Sequence, residues 1–178
     1  MKAALYQHTL DNSAWGKLYP AVLWRDVRYR EGSGYEDLDS FYLLFSRARE
    51  VRVSPLRLYL YTIRPTSYLR RFSARRADVL DVTDRIVAYM HRNMPELEDA
   101  ARSRALSANF NILRLIESNR ASVEYHHIVD RCRTNIRSLR RRCLFDSGVR
   151  MKNKAAILLS YLGLRLVEAL FRVLPPAE

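Results

Sequence analysis

The stretch Glu31-Gly32-Ser33-Gly34-Tyr35-Glu36-Asp37-Leu38-Asp39-Ser40-Phe41 decides how this chain is read. It sets four carboxylates within nine residues of a protein in which 31 Lys+Arg outnumber 19 Asp+Glu, for a formal net charge of +12. Two glycines let the backbone turn sharply before the Glu36-Asp37 pair. Leu38, Phe41, Tyr42 and Phe45 then recur at helical spacing. The pattern predicts a short strand over residues 27–30, a glycine-rich loop, and a helix from 36 to about 48. Carboxylates in the first turn of a helix complement the positive end of its dipole. A carboxylate held at such a junction is also aimed with little freedom left to lose.

Working outward, 178 residues make one domain, or one and a piece of another. With 48% of residues hydrophobic there is enough to build a core, which excludes a disordered or collagen-like chain. The arginine-led positive charge implies attraction to a polyanion: nucleic acid, anionic lipid or a phosphorylated small molecule. Cys132 and Cys143 do not make a disulfide framework. On one helix they stand roughly 16 Å apart, too far to bridge. A reducing compartment is expected, and the amino terminus lacks the apolar core of a signal peptide.

Before the acidic stretch, residues 1–9 read as a strand, and Asp11, Asn12 and Ser13 offer N-caps for a short helix through Trp15, Leu18, Tyr19 and Val22 to Trp24. After it, residues 50–53 and 56–63 alternate as strands do, closed by Pro55 and Pro65. From Phe72 onward helices are expected. Val79, Val82, Ile86 and Met90 mark one, and Pro95 opens a second along Leu97, Ala101, Ala105, Ala108, Ile112 and Leu115. A third, capped by Ser122, runs from Tyr125 to Cys143 and stops at Asp146-Ser147-Gly148; a fourth continues to Leu174. There is no internal repeat. His126-His127 point to different helix faces and, with Cys132, lack zinc-ligand spacing.

Three segments taken in order carry a resemblance: Trp15-Gly16-Lys17-Leu18-Tyr19; Glu31-Gly32 with Tyr35-Glu36-Asp37; and Tyr61-Thr62-Ile63-Arg64-Pro65-Thr66-Ser67. Together they resemble the second half of the catalytic domain of bacterial family-two glycosyltransferases, over about residues 8 to 70. Tyr29 stands where that family usually has Phe.

The resemblance implies an α+β, mostly α fold. Residues 1–70 would be the acceptor side of a GT-A catalytic domain, a partial half of short strands and helices, and residues 71–178 a helical region of about four helices. It implies an inverting transferase that moves a sugar from a nucleoside-diphosphate sugar to a hydroxyl of a saccharide or lipid-linked acceptor. Asp37 would be the general base and Glu36 would orient it or bind the acceptor. Trp15, Lys17, Tyr35, Arg64 and Ser67 would contact substrate, with Lys17 and Arg64 facing the departing diphosphate. The intact enzyme would use a divalent metal, Mg or Mn, on an Asp-x-Asp of a nucleotide-binding half. Nothing upstream of Trp15 provides that half, so this chain alone is expected to bind no metal and to be inactive. Asp37-Leu38-Asp39 matches the metal pattern only formally.

Between Arg131 and Lys154 there are nine Lys/Arg and one acid, Asp146. An apolar segment with a charged stripe follows, so residues 131–174 suit the face of an anionic bilayer. Three charges make that segment a poor membrane-spanning helix. A cytoplasmic location, peripheral at the inner face of the membrane, is expected, and the tail is also open to oligomer contacts. The competing reading is a non-enzymatic basic helical module that binds anionic membrane or nucleic acid. It leaves the acidic loop unexplained, and no nucleic-acid recognition motif favours it.

Overall fold

The computed structural model describes residues 1–8, 10–56, 58–62 and 72–173. Among them the protein is mostly helical. Seven α-helices follow in order: α1 (Lys2–Leu5), α2 (Glu36–Arg47), α3 (Asp78–Asn93), α4 (Glu98–Ser118), α5 (His126–Phe145), α6 (Met151–Leu162) and α7 (Leu164–Val173).

α4 is the central helix. It packs against α1, α3, α5 and α7, while α2 leans on α3 and α6 bridges α5 and α7. Its register explains this position. Ala101, Ala105 and Ala108 let neighbours approach closely, and Leu106, Ile112, Leu113 and Ile116 have no exposed surface. α3 meets it through Val82, Ile86 and Met90, and α5 through Val129, Cys132 and Ile136. Both cysteines lie on α5, buried and free, and burial pushes both thiols up to about 12.

Helical periodicity thus placed α2 to α5 well, and the all-helical character of the carboxyl-terminal region stands. The strands expected in the first seventy residues do not form among the described residues. Residues 2–5 are helical instead, and 27–30, 50–53, 56 and 58–62 run without a ladder, while residues 57 and 63 of the last expected strand lie outside the described residues. Alternation marks a chain that can pair, but a strand exists only beside another strand. The helix expected from Trp15 to Trp24 reduces to one 3₁₀ turn at Ala21–Trp24, because Gly16 turns with φ +67° and Pro20 follows. α5 begins at His126, after a turn that contains Ser122. The fourth expected helix breaks into α6 and α7 at Gly163, whose φ of +144° only glycine adopts readily. Leu174 lies outside the described residues.

Four of the nine basic residues between Arg131 and Lys154 are used inside the bundle. Arg131 bonds Asp81 and Asp84 on α3, Arg133 grips Glu168 on α7 with two bonds of 2.7 Å, and Arg142 pairs with Asp99. Arg140 lies 4.0 Å over the Tyr161 ring. None of the described helices is long and apolar enough to cross a membrane.

Glu98, at the start of α4, has a measurable consequence. His91 Nδ1 lies 3.0 Å from one carboxylate oxygen and Arg102 Nε donates to the other at 2.8 Å. The bond to His91, then that to Arg102, holds the carboxyl at about 2 rather than 4.5. A depressed acid stabilises the fold fully above its unfolded value and loses that contribution as pH falls through the folded one. The thermal midpoint is therefore expected to drop as pH falls from 4.5 toward about 2, and less steeply in Glu98→Gln. Equal slopes in calorimetry across that window would remove Glu98 from this role.

Candidate active site

The acidic loop is clamped from one side by the turn that precedes α3. Gly34 N–H donates to Asp78 Oδ2 at 2.8 Å, and Arg75 Nη2 donates to the Ser33 carbonyl at 3.3 Å. A Cβ on Gly34 would stand 2.9 Å from the Arg75 carbonyl oxygen, a backbone atom with no room to swing aside. Tyr35 then adopts φ +61° as the residue before α2. A tyrosine in the left-handed region is uncommon and persists only where its surroundings over-determine it. That strain falls immediately before Glu36 and Asp37.

Asp37 and Asp39 diverge at once, because residues two apart on a helix project about 200° from each other. Asp39 turns to α3, where Arg85 grips it through two bonds of 2.9 Å and Arg30 adds one of 3.2 Å. Its side chain is 9% exposed. Asp39 is thus an anchor for two arginines. Beside it a cleft of about 280 Å³ opens between the loop and α3, lined by Arg30, Glu31, Ser33, Asp78, Asp81 and Arg85 and not by Asp37.

Asp37 lies half-buried on the other side of α2, with Oδ1 accepting the Leu38 N–H at 2.6 Å. Burial pushes its carboxyl above the ordinary aspartate range. The Leu38 N–H opposes that rise, the charge of Glu36 adds to it, Arg104 on α4 opposes it and Asp11 adds again. The charges of Arg104 on α4 and of Asp11 in the preceding turn thus both reach this carboxylate. Tyr19 and Tyr29 feel its charge too, and burial raises both phenols, Tyr19 to about 12. These tyrosines belong to an aromatic wall. Trp24 meets Tyr19 at 5.7 Å and Tyr29 at 5.1 Å, both edge-on, and Trp15 stacks on Tyr61 at 5.1 Å with 8° between the planes.

The turn over residues 11–17 is a small polar knot. Lys17 Nζ donates to Asp11 Oδ1 and to the Ser13 carbonyl, both at 2.8 Å, and Ser13 Oγ also bonds Asp11. Burial pulls the Asp11 carboxyl upward, but the bonds from Lys17 and Ser13 outweigh it and hold it below the usual range. Asn12 accepts from Arg104 Nη2 at 3.0 Å, which ties the turn to α4.

Five of the seven expected residues lie among the described residues. Tyr35, Glu36 and Asp37 stand at the start of α2, with Glu36 exposed. Trp15 and Lys17 belong to the turn whose Asp11 faces Asp37. The Lys17 ammonium is occupied in holding that turn, its side chain 18% exposed. Arg64 and Ser67 lie outside the described residues. Arg104 was not expected, since one arginine in a helical register has no local signature. The signal that could have found it is the polar stripe Arg104, Ser107, Asn111 and Arg114, set at spacings of three and four along the helix beside its apolar face.

Among the described residues no three His, Cys, Asp or Glu side chains group as a metal site. The donors present do not suit the divalent ion of the resemblance, because Asp39 is already bound to Arg30 and Arg85. The fold and this junction define a mostly helical protein with a desolvated carboxylate at a strained helix start. Comparison with family models, with curated proteins and with solved structures finds no match to the chain.

Proposed function

We propose that this chain is the acceptor side of an inverting glycosyltransferase, with Asp37 as its general base. The observation that carries the reading is the state of Asp37: partly desolvated, pushed above the ordinary aspartate range, held two residues after a strained Tyr35, and close enough for its charge to act on Tyr19 and Tyr29. A base works best when its pKa approaches the working pH, and burial moves Asp37 in that direction. Aromatic faces such as Trp15 and Tyr29 suit the C–H faces of sugar rings.

The step balances simply. The acceptor hydroxyl oxygen attacks the anomeric carbon from the face opposite the leaving group, and its proton passes to an Asp37 carboxylate oxygen. The bond from that carbon to the diphosphate breaks, and the nucleoside diphosphate leaves with the electron pair. Attack from the opposite face inverts the configuration. Glu36, exposed beside the base, is placed to bind acceptor hydroxyls. The metal assigned by resemblance supplies charge neutralisation at the diphosphate, and no step on these residues runs through it.

A nucleotide-binding half fits a second feature. Leu58 and Leu60 are 81% and 90% exposed on a segment that has no neighbouring strand among the described residues, as a strand that lacks its sheet would be. Exposed Leu158, Leu162 and Leu166 on α6 and α7 favour a place at the cytoplasmic membrane face, where lipid-linked acceptors reside.

Joined to a nucleotide-binding half that ends in Asp-x-Asp, the chain is expected to transfer sugar with Mg or Mn, with inverted anomeric configuration by NMR. Calorimetry of the 178-residue chain alone should show no metal-dependent nucleoside-diphosphate sugar binding. Retained configuration, or tight metal-dependent binding by the chain alone, would overturn the reading.

A further inference from the structure

The polar stripe of α4 meets the start of α6, and the side chains gathered there share one sign. Arg104 and Arg114 lie ten residues apart on α4, about 15 Å along one face at 1.5 Å per residue. Arg150 reaches in from the residue before α6. Its Nη2 donates to Ser107 Oγ at 3.0 Å and also bonds Gln7 Oε1. Lys152 follows in the first turn of α6 and is exposed. Among the described residues none of these four cations has a carboxylate within ion-pair distance. Their protein bonds go to neutral groups: Asn12 for Arg104, Asn111 for Arg114, and Ser107 and Gln7 for Arg150.

The cations feel one another. Burial and then the charge of Arg150 lower the Arg104 guanidinium to about 10, and the charge of Arg150, burial and the charge of Arg114 lower Lys152. Arg150 Nε is buried and has no hydrogen-bond partner. Repulsion among partly desolvated cations costs stability, which a bound anion offsets. Several other arginines of the bundle are matched with acids, as Arg131 is with Asp81, Arg133 with Glu168 and Arg85 with Asp39. The N-terminal end of α6 adds further positive potential.

We infer that the basic cluster where α4 meets the start of α6 binds a diphosphate group, held by Arg104, Arg114, Arg150 and Lys152. Guanidinium forks match phosphate oxygens two at a time, and a multiply charged anion relieves the repulsion among all four cations. Arg104 joins this cluster to the site already described, because its charge acts on Asp37 as well as on Arg150. A diphosphate here anchors a substrate that reaches the base. The anion site stands on its own geometry, and only its assignment to a transferase substrate rests on the reading above. Two carriers share the chemistry: the diphosphate of a lipid-linked acceptor and that of a nucleotide.

Inorganic pyrophosphate titrated into the 178-residue chain by calorimetry, at fixed ionic strength in chloride, is expected to bind saturably at one site. Arg114→Gln with Lys152→Gln, the former partly and the latter fully exposed, should weaken binding at least about tenfold, as the loss of charge-assisted bonds requires. Arg104→Lys keeps the charge but loses the fork and should weaken it less. Arg137→Gln with Arg141→Gln, on the exposed side of α5, should leave it unchanged. Absence of saturable binding, unchanged binding in the Arg114/Lys152 variant, or equal weakening by the α5 variant would overturn the inference. Competition by a prenyl diphosphate or by UDP identifies the carrier, and competition by neither would overturn it as well. Titration needs no turnover, so failure of anion binding is distinguishable from failure of the transferase reading.

Discussion

Asp37→Asn, in the chain joined to its nucleotide-binding half, is expected to lower kcat by about 10²–10⁴, the range a positioned general base supplies. Asparagine matches the size of aspartate and keeps an oxygen for the Leu38 N–H, so the start of α2 should survive the change. It cannot take the proton of the acceptor hydroxyl. Nucleotide-sugar binding, measured by calorimetry, should hardly change, since the role proposed for Asp37 is at the acceptor hydroxyl. In the unsubstituted enzyme kcat/KM should rise with pH through an acid limb above the ordinary aspartate range, because burial favours the protonated carboxyl. Turnover that persists in Asp37→Asn, or an acid limb at the ordinary value, would remove Asp37 from the role.

Leu113→Ala should destabilise the fold by about 2–5 kcal/mol, the cost of deleting a wholly buried leucine side chain and leaving a cavity. Leu113 has no exposed surface and sits in the middle of α4, which packs against four other helices. In a chain of this size the thermal midpoint should fall by about 4–20 °C. Leu158→Ala on α6, at a position 56% exposed, should move it little. Equal shifts in a melting experiment would mean that α4 is not the centre of the core.

The helices were legible because their apolar residues recur at a period that one helix satisfies alone. Leu38, Phe41 and Tyr42 are buried on α2, and Val79, Val82, Ile86 and Met90 on α3, as the spacing requires. The acidic junction was legible for the same reason, since a turn and a helix start are local events. The strands were not. Residues 56–62 alternate, but pairing depends on a neighbour whose identity no local pattern encodes. Arg104 escaped notice because its meaning comes from residues far along the chain, Asn12 and Arg150. The separation of Asp37 from Asp39 could be read from helix geometry, yet the reason Asp39 is unavailable, Arg85 on another helix, could not.

The bond from Gly34 to Asp78 spans 44 residues, that from Asp39 to Arg85 spans 46, and Arg104 reaches back 92 to Asn12. Local helical contacts form early in folding and distant ones later, because long loops cost more entropy to close. The bundle should therefore assemble first, and the carboxylate should find its bearing only when the acidic loop docks on it. It follows that the helical region is no interchangeable appendage. Replaced by another bundle of the same length, it would leave the loop's residues in place and their aim undefined.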